Sequence, residues 1–328
     1  MQDETNNDIA LKHDVSIIIV SWNTCHDLRN CLQSLYDTVA KTLSLETIVV
    51  DNASQDDTAI VVMDQFPQVR YIQNTDNVGF SAANNVGVRS ACGRYVLLLN
   101  PDCIFSEDCI SPLILRMDSD SSIGLVGCRL LNEDGSEQKS ADLFPIPFQE
   151  ISPVFRARRR ALLEKVDLAI RGASQCNVGV VIGAFQFIPR EFLLDIGILD
   201  HKLFMYGEDL DLCYRIEKAG RRVVLDASVS IIHLGGKSSE QIWSDEARLA
   251  KVRQSIFRIH VKHFGCAAAI ATLLVRTCLS WVRYAIALAL LRSKGTRSVC
   301  AAEAIANTRT IASLPSLIKH QGTAASSC

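Results

Sequence analysis

The feature that most limits how this chain can fold is a recurring unit: a short, nearly all-apolar run that ends on Asn, Asp or Ser, then a segment of helical period. Residues 15–20 are the first run, and Leu28, Cys31, Leu32 and Leu35 follow at helical spacing behind Asn23 and Thr24, which can cap a helix. A second run, 47–50, leads into Asp51-Asn52-Ala53-Ser54, with Asp56 and Asp57 placed to start another helix. A third, near 69–72, passes through the Asn/Gly-rich stretch 74–79 to a helix over about 82–91, and 95–99 is the fourth. Strands separated by helices pair in parallel through right-handed crossovers, so the spacing predicts an α/β fold with a mainly parallel central sheet flanked by helices.

In such sheets ligands bind outside the carboxyl ends of the strands. The polar residues of this chain gather at those ends: Ser21-Trp22-Asn23, Asp51-Asn52, Asn77 to Asn84, and Asn100-Pro101-Asp102. Any one of these groups could merely close an Asx-turn or cap a helix. Their joint occurrence marks a crevice. The chain lacks both the GxGxxG fingerprint and the GxxxxGK[ST] phosphate loop, so a nucleotide here must be held through carboxylates and amides.

Beyond Asp102 the rhythm changes. Asn132-Glu133-Asp134-Gly135 reads as a hairpin turn after a strand over 124–131. Residues 140–175, with Pro145, Pro147, Pro153 and the cluster Arg156, Arg158, Arg159, Arg160, read as a mobile loop or short helix near something anionic. Order returns over 178–188, in a helix over 208–219 that stops at Gly220, and in two strands over 222–225 and 229–233. The helix opens on Glu208-Asp209-Leu210-Asp211, more acids than capping needs.

Six segments taken in order resemble family 2 glycosyltransferases of the GT-A fold, in particular the bacterial rhamnosyltransferase-like branch. They are VSIIIVSWN at 15–23, VVDNAS at 49–54, NVGFSAANNVG at 77–87, LLLNPD at 97–102, YGEDLDLCYR at 206–215 and HLGGKSS from 233. The resemblance implies inverting transfer of a sugar from a nucleotide-diphosphate donor, assisted by Mg2+ or Mn2+. The acceptor it implies is a hydroxyl of a glycan or of a polyprenyl diphosphate-linked sugar in cell-surface polysaccharide synthesis. Rhamnose is the donor sugar favoured by resemblance alone.

Site roles follow from the same resemblance. Asp51 binds the base or ribose, with Ser21, Trp22 and Asn23 lining the pocket and Asn77 beside it; Gly79 permits close backbone approach and Asn84 orients the donor. Asp102 is the last acid of the family's metal motif, and His233 joins it on the cation. Asp209 is the general base, Glu208 binds an acceptor hydroxyl, Asp211 is structural, and Gly183 with Ala184 lies on the acceptor side. Inverting transfer needs such a base and charge neutralisation on the departing diphosphate, because the transition state is oxocarbenium-like. Asn100 departs from the pattern by standing where many relatives carry the first Asp, which removes one anionic ligand.

Charge divides the chain. Residues 251–328 carry 11 Lys and Arg against the single acid Glu303, a net of +10, which leaves −12 on residues 1–250. A basic tail on an acidic body argues for contact with an anionic surface from one end. Nucleic acid does not fit, since the tail's basic residues alternate with Leu, Ile and Ala rather than with stacking aromatics. Arg276 and Arg283 interrupt the apolar stretch 265–291, which argues against a simple membrane span. Thr272, Arg276, Ser280 and Arg283 share one helical face with apolar residues elsewhere, the build of an in-plane interfacial helix; a hairpin packed on the body with its arginines exposed is the alternative.

The expected organisation is a disordered stretch at 1–14, a catalytic domain at 15–239 and a helical region at 240–328. Residues 1–14 have no apolar run of the signal-peptide kind, and 12 cysteines without a CxxC pair read as reduced thiols, so the expected location is cytoplasmic, on the inner face of the cell membrane. A catalytically idle assembly subunit is the competing reading; retention of Asp51, Asp102, Asp209 and His233 together speaks against it.

Overall fold

The computed structural model describes residues 13–39, 43–149, 151–235, 245–290 and 292–319. Of the stretch expected to be disordered, 1–12 lie outside the described residues, while His13 and Asp14 open the first strand. The chain runs β1 (His13–Ser21), α1 (Cys25–Thr38), β2 (Leu45–Asp51), α2 (Thr58–Gln65), β3 (Arg70–Gln73), α3 (Phe80–Ser90) and β4 (Gly93–Leu99). β1 pairs in parallel with β2 and β4, and β2 with β3, as the apolar runs require. The strand order therefore reverses at β1, which opens a crevice at the carboxyl ends of β1 and β4.

The second half is mixed. It contains β5 (Cys103–Ile104), α4 (Ile110–Ser119), β6 (Ile123–Leu131), β7 (Glu137–Gln138), β8 (Ala141–Asp142), α5 (Pro153–Arg171), β9 (Gln175–Asn177), β10 (Val180–Val181), β11 (Phe185–Pro189), α6 (Arg190–Asp195), α7 (Glu208–Lys218) and β12 (Arg222–His233). β11 lies antiparallel between β4 and β6, β12 runs parallel to β6, and the sheet reads β3-β2-β1-β4-β11-β6-β12-β5. The hairpin at 132–135 joins β6 to β7 as expected, closed by the Gly135 amide donating to Asn132 O at 2.9 Å.

Both faces of the central strands are buried, which is why their sequences are continuous rather than alternating. Ile17, Ile19, Leu97 and Leu99 pack on one side with Leu28, Leu32 and Leu35 of α1 and Leu113 of α4. Ile18, Val20, Val96 and Leu98 pack on the other with Ala83 of α3 and Leu212 and Ile216 of α7. Two expectations change. The strands read at 222–225 and 229–233 are one strand, β12, with an irregularity between Asp226 and Ser230, where the Asp226 carboxylate accepts the Ser228 amide. The loop or short helix expected within 140–175 is the 19-residue α5, begun by Ser152, whose hydroxyl accepts the Phe155 amide, and by Pro153.

The C-terminal region is helical, with α8 (Asp245–Phe264), α9 (Cys266–Ala289), α10 (Lys294–Ala312) and α11 (Leu314–Lys319). It has a small core of its own built on Phe257, Val261, Ala269, Leu273 and Leu317. α8 also reaches the main core through Ile259.

Candidate active site

Strand register assembles the site. In the parallel half Ser21, Asp51 and Gln73 stand side by side, so the carboxyl ends of β1, β2 and β3 are level. The antiparallel pairing of β11 with β4 sets residues 183–184 beside 100–102, and the Asn100 amide donates to Ala184 O at 3.0 Å. Pairing of β12 with β5 puts His233 opposite Cys103. Side chains far apart in sequence thereby border one cleft of about 680 Å3, among them Trp22, Asn52, Asn77, Asn100, Asp102, Gly183, Ala184, Glu208, Asp209 and His233.

At one end Asp102 Oδ1 lies 3.4 Å from His233 Nε2 and is buried with no hydrogen-bond partner among the described residues. The tautomer follows from the neighbours. The Gln138 amide group donates to Asn132 Oδ1 at 3.0 Å and His233 O at 3.1 Å, so its Oε1 faces His233 Nδ1 at 2.7 Å and accepts the ring N–H. Nε2 keeps a lone pair, which faces the Asn100 amide nitrogen at 3.3 Å and stands beside the unpartnered Asp102 oxygen. Two acceptors that close call for a cation, and an imidazole steadied through its other nitrogen is how proteins orient a metal ligand. Cys103 lies in the same cluster, but its thiol points at Ala184 O at 3.6 Å, and burial with the Asp102 charge pushes its pKa well up. A protonated sulfur does not serve a hard cation, so the donor set fits Mg2+ or Mn2+ on Asp102 and His233.

At the other end Tyr206 and Gly207 both take left-handed backbone, φ +70° and +88°, and turn the chain sharply into α7. Glu208 and Asp209 emerge from that turn. Burial first, and then the Asp209 charge, raise the Glu208 pKa, and its Oε2 has no partner among the described residues. Burial also raises Asp209, partly offset by the amides of Leu210, at 2.8 Å from Oδ1, and Gly183. A Cβ built on Gly183 would sit 3.8 Å from Asp209 Oδ2, so the glycine keeps space open beside that oxygen.

Several residues expected at the donor do not line the cleft. Asp51 is fully buried, with Oδ2 accepting from Tyr71 at 2.6 Å and Gln73 at 3.4 Å and Oδ1 from the Ser54 amide at 3.1 Å; it braces β3 and the loop after β2. Ser21 pairs with Thr24, and Asn23 ties to Ser54 and Gln55. Asn84 donates to Phe80 O within α3. Gly79 does allow a close approach, but by Phe204, whose carbonyl would lie 2.7 Å from an added Cβ and accepts the Phe80 amide. Asp211 is structural as expected, wholly buried and paired with Arg215, Lys262 and His263.

Asn52, named with Asp51 at the end of the second apolar run, lines the cleft where Asp51 does not. Gln138, which holds the His233 ring, carried no sequence signal because it sits in a two-residue strand. Arg248, Leu249 and Val252 reach the cleft from α8, outside every motif. Arg248 is the one lysine or arginine among the described lining residues.

Among proteins of known activity, the chain is 26% identical over 254 residues to the low-salt glycan biosynthesis hexosyltransferase Agl10 of Haloferax volcanii, covering 74% of this chain and 76% of that one. It is 25% identical over 239 residues to the N-acetylglucosaminyl-diphospho-decaprenol L-rhamnosyltransferase of Mycobacterium tuberculosis, covering 66% and 75%. Its fold matches the mannosyltransferase PcManGT of Pyrobaculum calidifontis, solved with GDP-Man and Mn2+, at TM-score 0.57 and 17% identity over 93% of this chain and 88% of that one. It also matches GalNAc-T7, solved with UDP, GalNAc and Mn2+, at TM-score 0.57 and 17% identity over 76% of this chain, spanning 47% of that protein's chain. These neighbours are GT-A glycosyltransferases. The profile of glycosyl transferase family 2 matches residues 16–193, and the chain belongs to that family of glycosyltransferases.

Proposed function

We propose that the cleft carries out inverting transfer, with the nucleotide-diphosphate sugar along the β1–β4 crevice and the acceptor hydroxyl beside Asp209. The observation that supports this reading is the convergence on one cleft of two separate acidic groups, Asp102 with His233 and Glu208 with Asp209. Trp22 and Asn77 border the part of the cleft that would take the base and ribose, and Asn52 lies beside them with its amide tied to Gly79 O and Asn74. Asp102 and His233 would hold a divalent cation, which would supply charge neutralisation on the departing diphosphate. Arg248 adds a cationic group from the α8 side, suited to a second diphosphate on the acceptor.

Asp209 takes the acceptor proton. Its raised pKa strengthens it as a base while Gly183 leaves the hydroxyl room to approach. Glu208, holding its own proton more tightly, donates a hydrogen bond to an acceptor oxygen. The rhamnosyltransferase relative, named for a decaprenol diphosphate-linked substrate, favours rhamnose as donor sugar and a polyprenyl diphosphate-linked acceptor. Such acceptors sit in a membrane, which suits a peripheral protein on its inner face.

The deciding experiment is Asp209→Asn. A positioned base contributes about 10² to 10⁴ in rate, so transfer should fall about a thousandfold while nucleotide-sugar affinity stays. Unchanged kcat would remove Asp209 from the mechanism.

A further inference from the structure

In the helical hairpin of α9 and α10, α9 turns part of its polar face inward and keeps an apolar band outside. Of the polar face read in the sequence, Thr272, Arg276 and Ser280 are turned inward and buried at 2%, 7% and 3% exposure, while Arg283 is exposed. From α10, Asn307 Nδ2 donates to Ser280 Oγ at 3.2 Å, and Thr272 Oγ1 donates within α9 to Ala268 O at 2.7 Å. The opposite face of α9 points outward with Leu274, Trp281, Val282, Ile286 and Leu290 exposed at 48, 44, 53, 51 and 59%. These positions recur at steps of seven, one, four and four, so they form a continuous apolar band. The inward side of α9 mixes that polar stripe with Ala269, Leu273 and Ala287, and the apolar band stays outside.

We propose that this band seats on an anionic lipid bilayer, with α9 lying in the interface. The charge around the band selects this occupant. Exposed Arg283, Arg292 and Lys294 border it, and Glu303 is the only acid beyond residue 250. At the hairpin turn a recess of about 250 Å3 is lined by Lys294, Arg297 and Ser298 on its polar side and by Tyr284, Leu288 and Ala301 on the other. Cations beside an apolar wall suit a lipid phosphate whose acyl chains continue along the band. α9 is long and apolar enough to span a membrane, but its Thr272–Arg276–Ser280 stripe is already packed on protein. The inference refines the membrane part of the proposed function, and its test does not depend on transfer.

The full chain is floated with vesicles of phosphatidylcholine, with and without phosphatidylglycerol, and donor-induced thermal stabilisation is measured on the same samples. The chain should float with the anionic vesicles and be released by alkaline carbonate. Ile286→Asp with Val282→Asp should lower the bound fraction about tenfold. Lys294→Gln with Arg297→Gln should lose about fivefold per charge, on phosphatidylglycerol vesicles alone. Donor-induced stabilisation should survive in all these variants, so its loss would question the fold or the cleft rather than the band. Flotation of Val282→Asp/Ile286→Asp equal to that of the unaltered chain would overturn the proposal. So would resistance to carbonate, which marks a span, or a soluble dimer that Ile286→Asp dissociates and that does not float.

Discussion

Glu208 keeps a carboxyl oxygen in the protein interior without a partner among the described residues, and Asp209 sets a second acid next to it. Such a group is held against its own stability, so Glu208→Gln should stabilise the fold by about 1–3 kcal/mol while weakening acceptor use. A carboxyl whose pKa is higher folded than unfolded binds its proton more tightly in the native state. Native stability therefore falls as pH rises from the ordinary Glu value through the raised one. The Tm difference between Glu208→Gln and the unaltered protein should be small in acid and widen toward neutral pH; a gap that does not change with pH would show that the side chain titrates normally. Arg248→Gln should raise the acceptor KM with little effect on donor hydrolysis, because it faces the cleft from the tail side; a matching loss of donor hydrolysis would place it on the donor instead. Position at the cleft was legible for Asp102, His233, Glu208 and Asp209, which the strand and helix ends bring to its border. The placement of Asp51 was not, because the Tyr71 hydroxyl that its carboxylate accepts from belongs to another strand.

At the scale of elements, α7 and α8 are joined by one carboxylate. Burial opposes the ionisation of Asp211, but His263 at 2.8 Å, Arg215 at 2.8 Å and Lys262 at 2.7 Å override it and hold its pKa well below the ordinary Asp range. Asp211→Asn strips Arg215 of its carboxylate and leaves Lys262 only Asp200, and should cost about 3–5 kcal/mol in chemical denaturation. A lowered pKa gives stability that is complete above the ordinary Asp value and disappears as pH falls below it, so acid should close the gap between variant and unaltered protein. A loss of less than about 0.5 kcal/mol at neutral pH, the range of an ordinary surface change, would show that the pairs do not pin α8. The β1–β4 half was readable because apolar runs and helical spacing alternate without interruption. α5 was not, since three prolines obscured a Ser-Pro helix start, and α9 was read with the right polar face but no means of knowing which way it turns. That depends on Asn307, 27 residues on from Ser280.

For the molecule as a whole, the cleft lies where strand ends of the body meet a helix of the tail, so ligand binding ties together parts with separate cores. A donor that binds only this assembled state stabilises it by about 2.7 kcal/mol at a hundred times its Kd, which for a chain of this length is about 4 °C in Tm. If Asp102 and His233 hold a cation that supports donor binding, the shift should appear with nucleotide sugar and Mn2+ together and be much smaller with either alone. Asp102→Ala deletes the unpartnered oxygen 3.4 Å from His233 Nε2 and should abolish the metal-dependent part of the shift. Asp209→Asn, altered on the acceptor side, should keep it. A shift of the same size without metal, or one retained in Asp102→Ala, would mean that the acid and imidazole brought together by the β12–β5 pairing hold their strands in place and no ion between them.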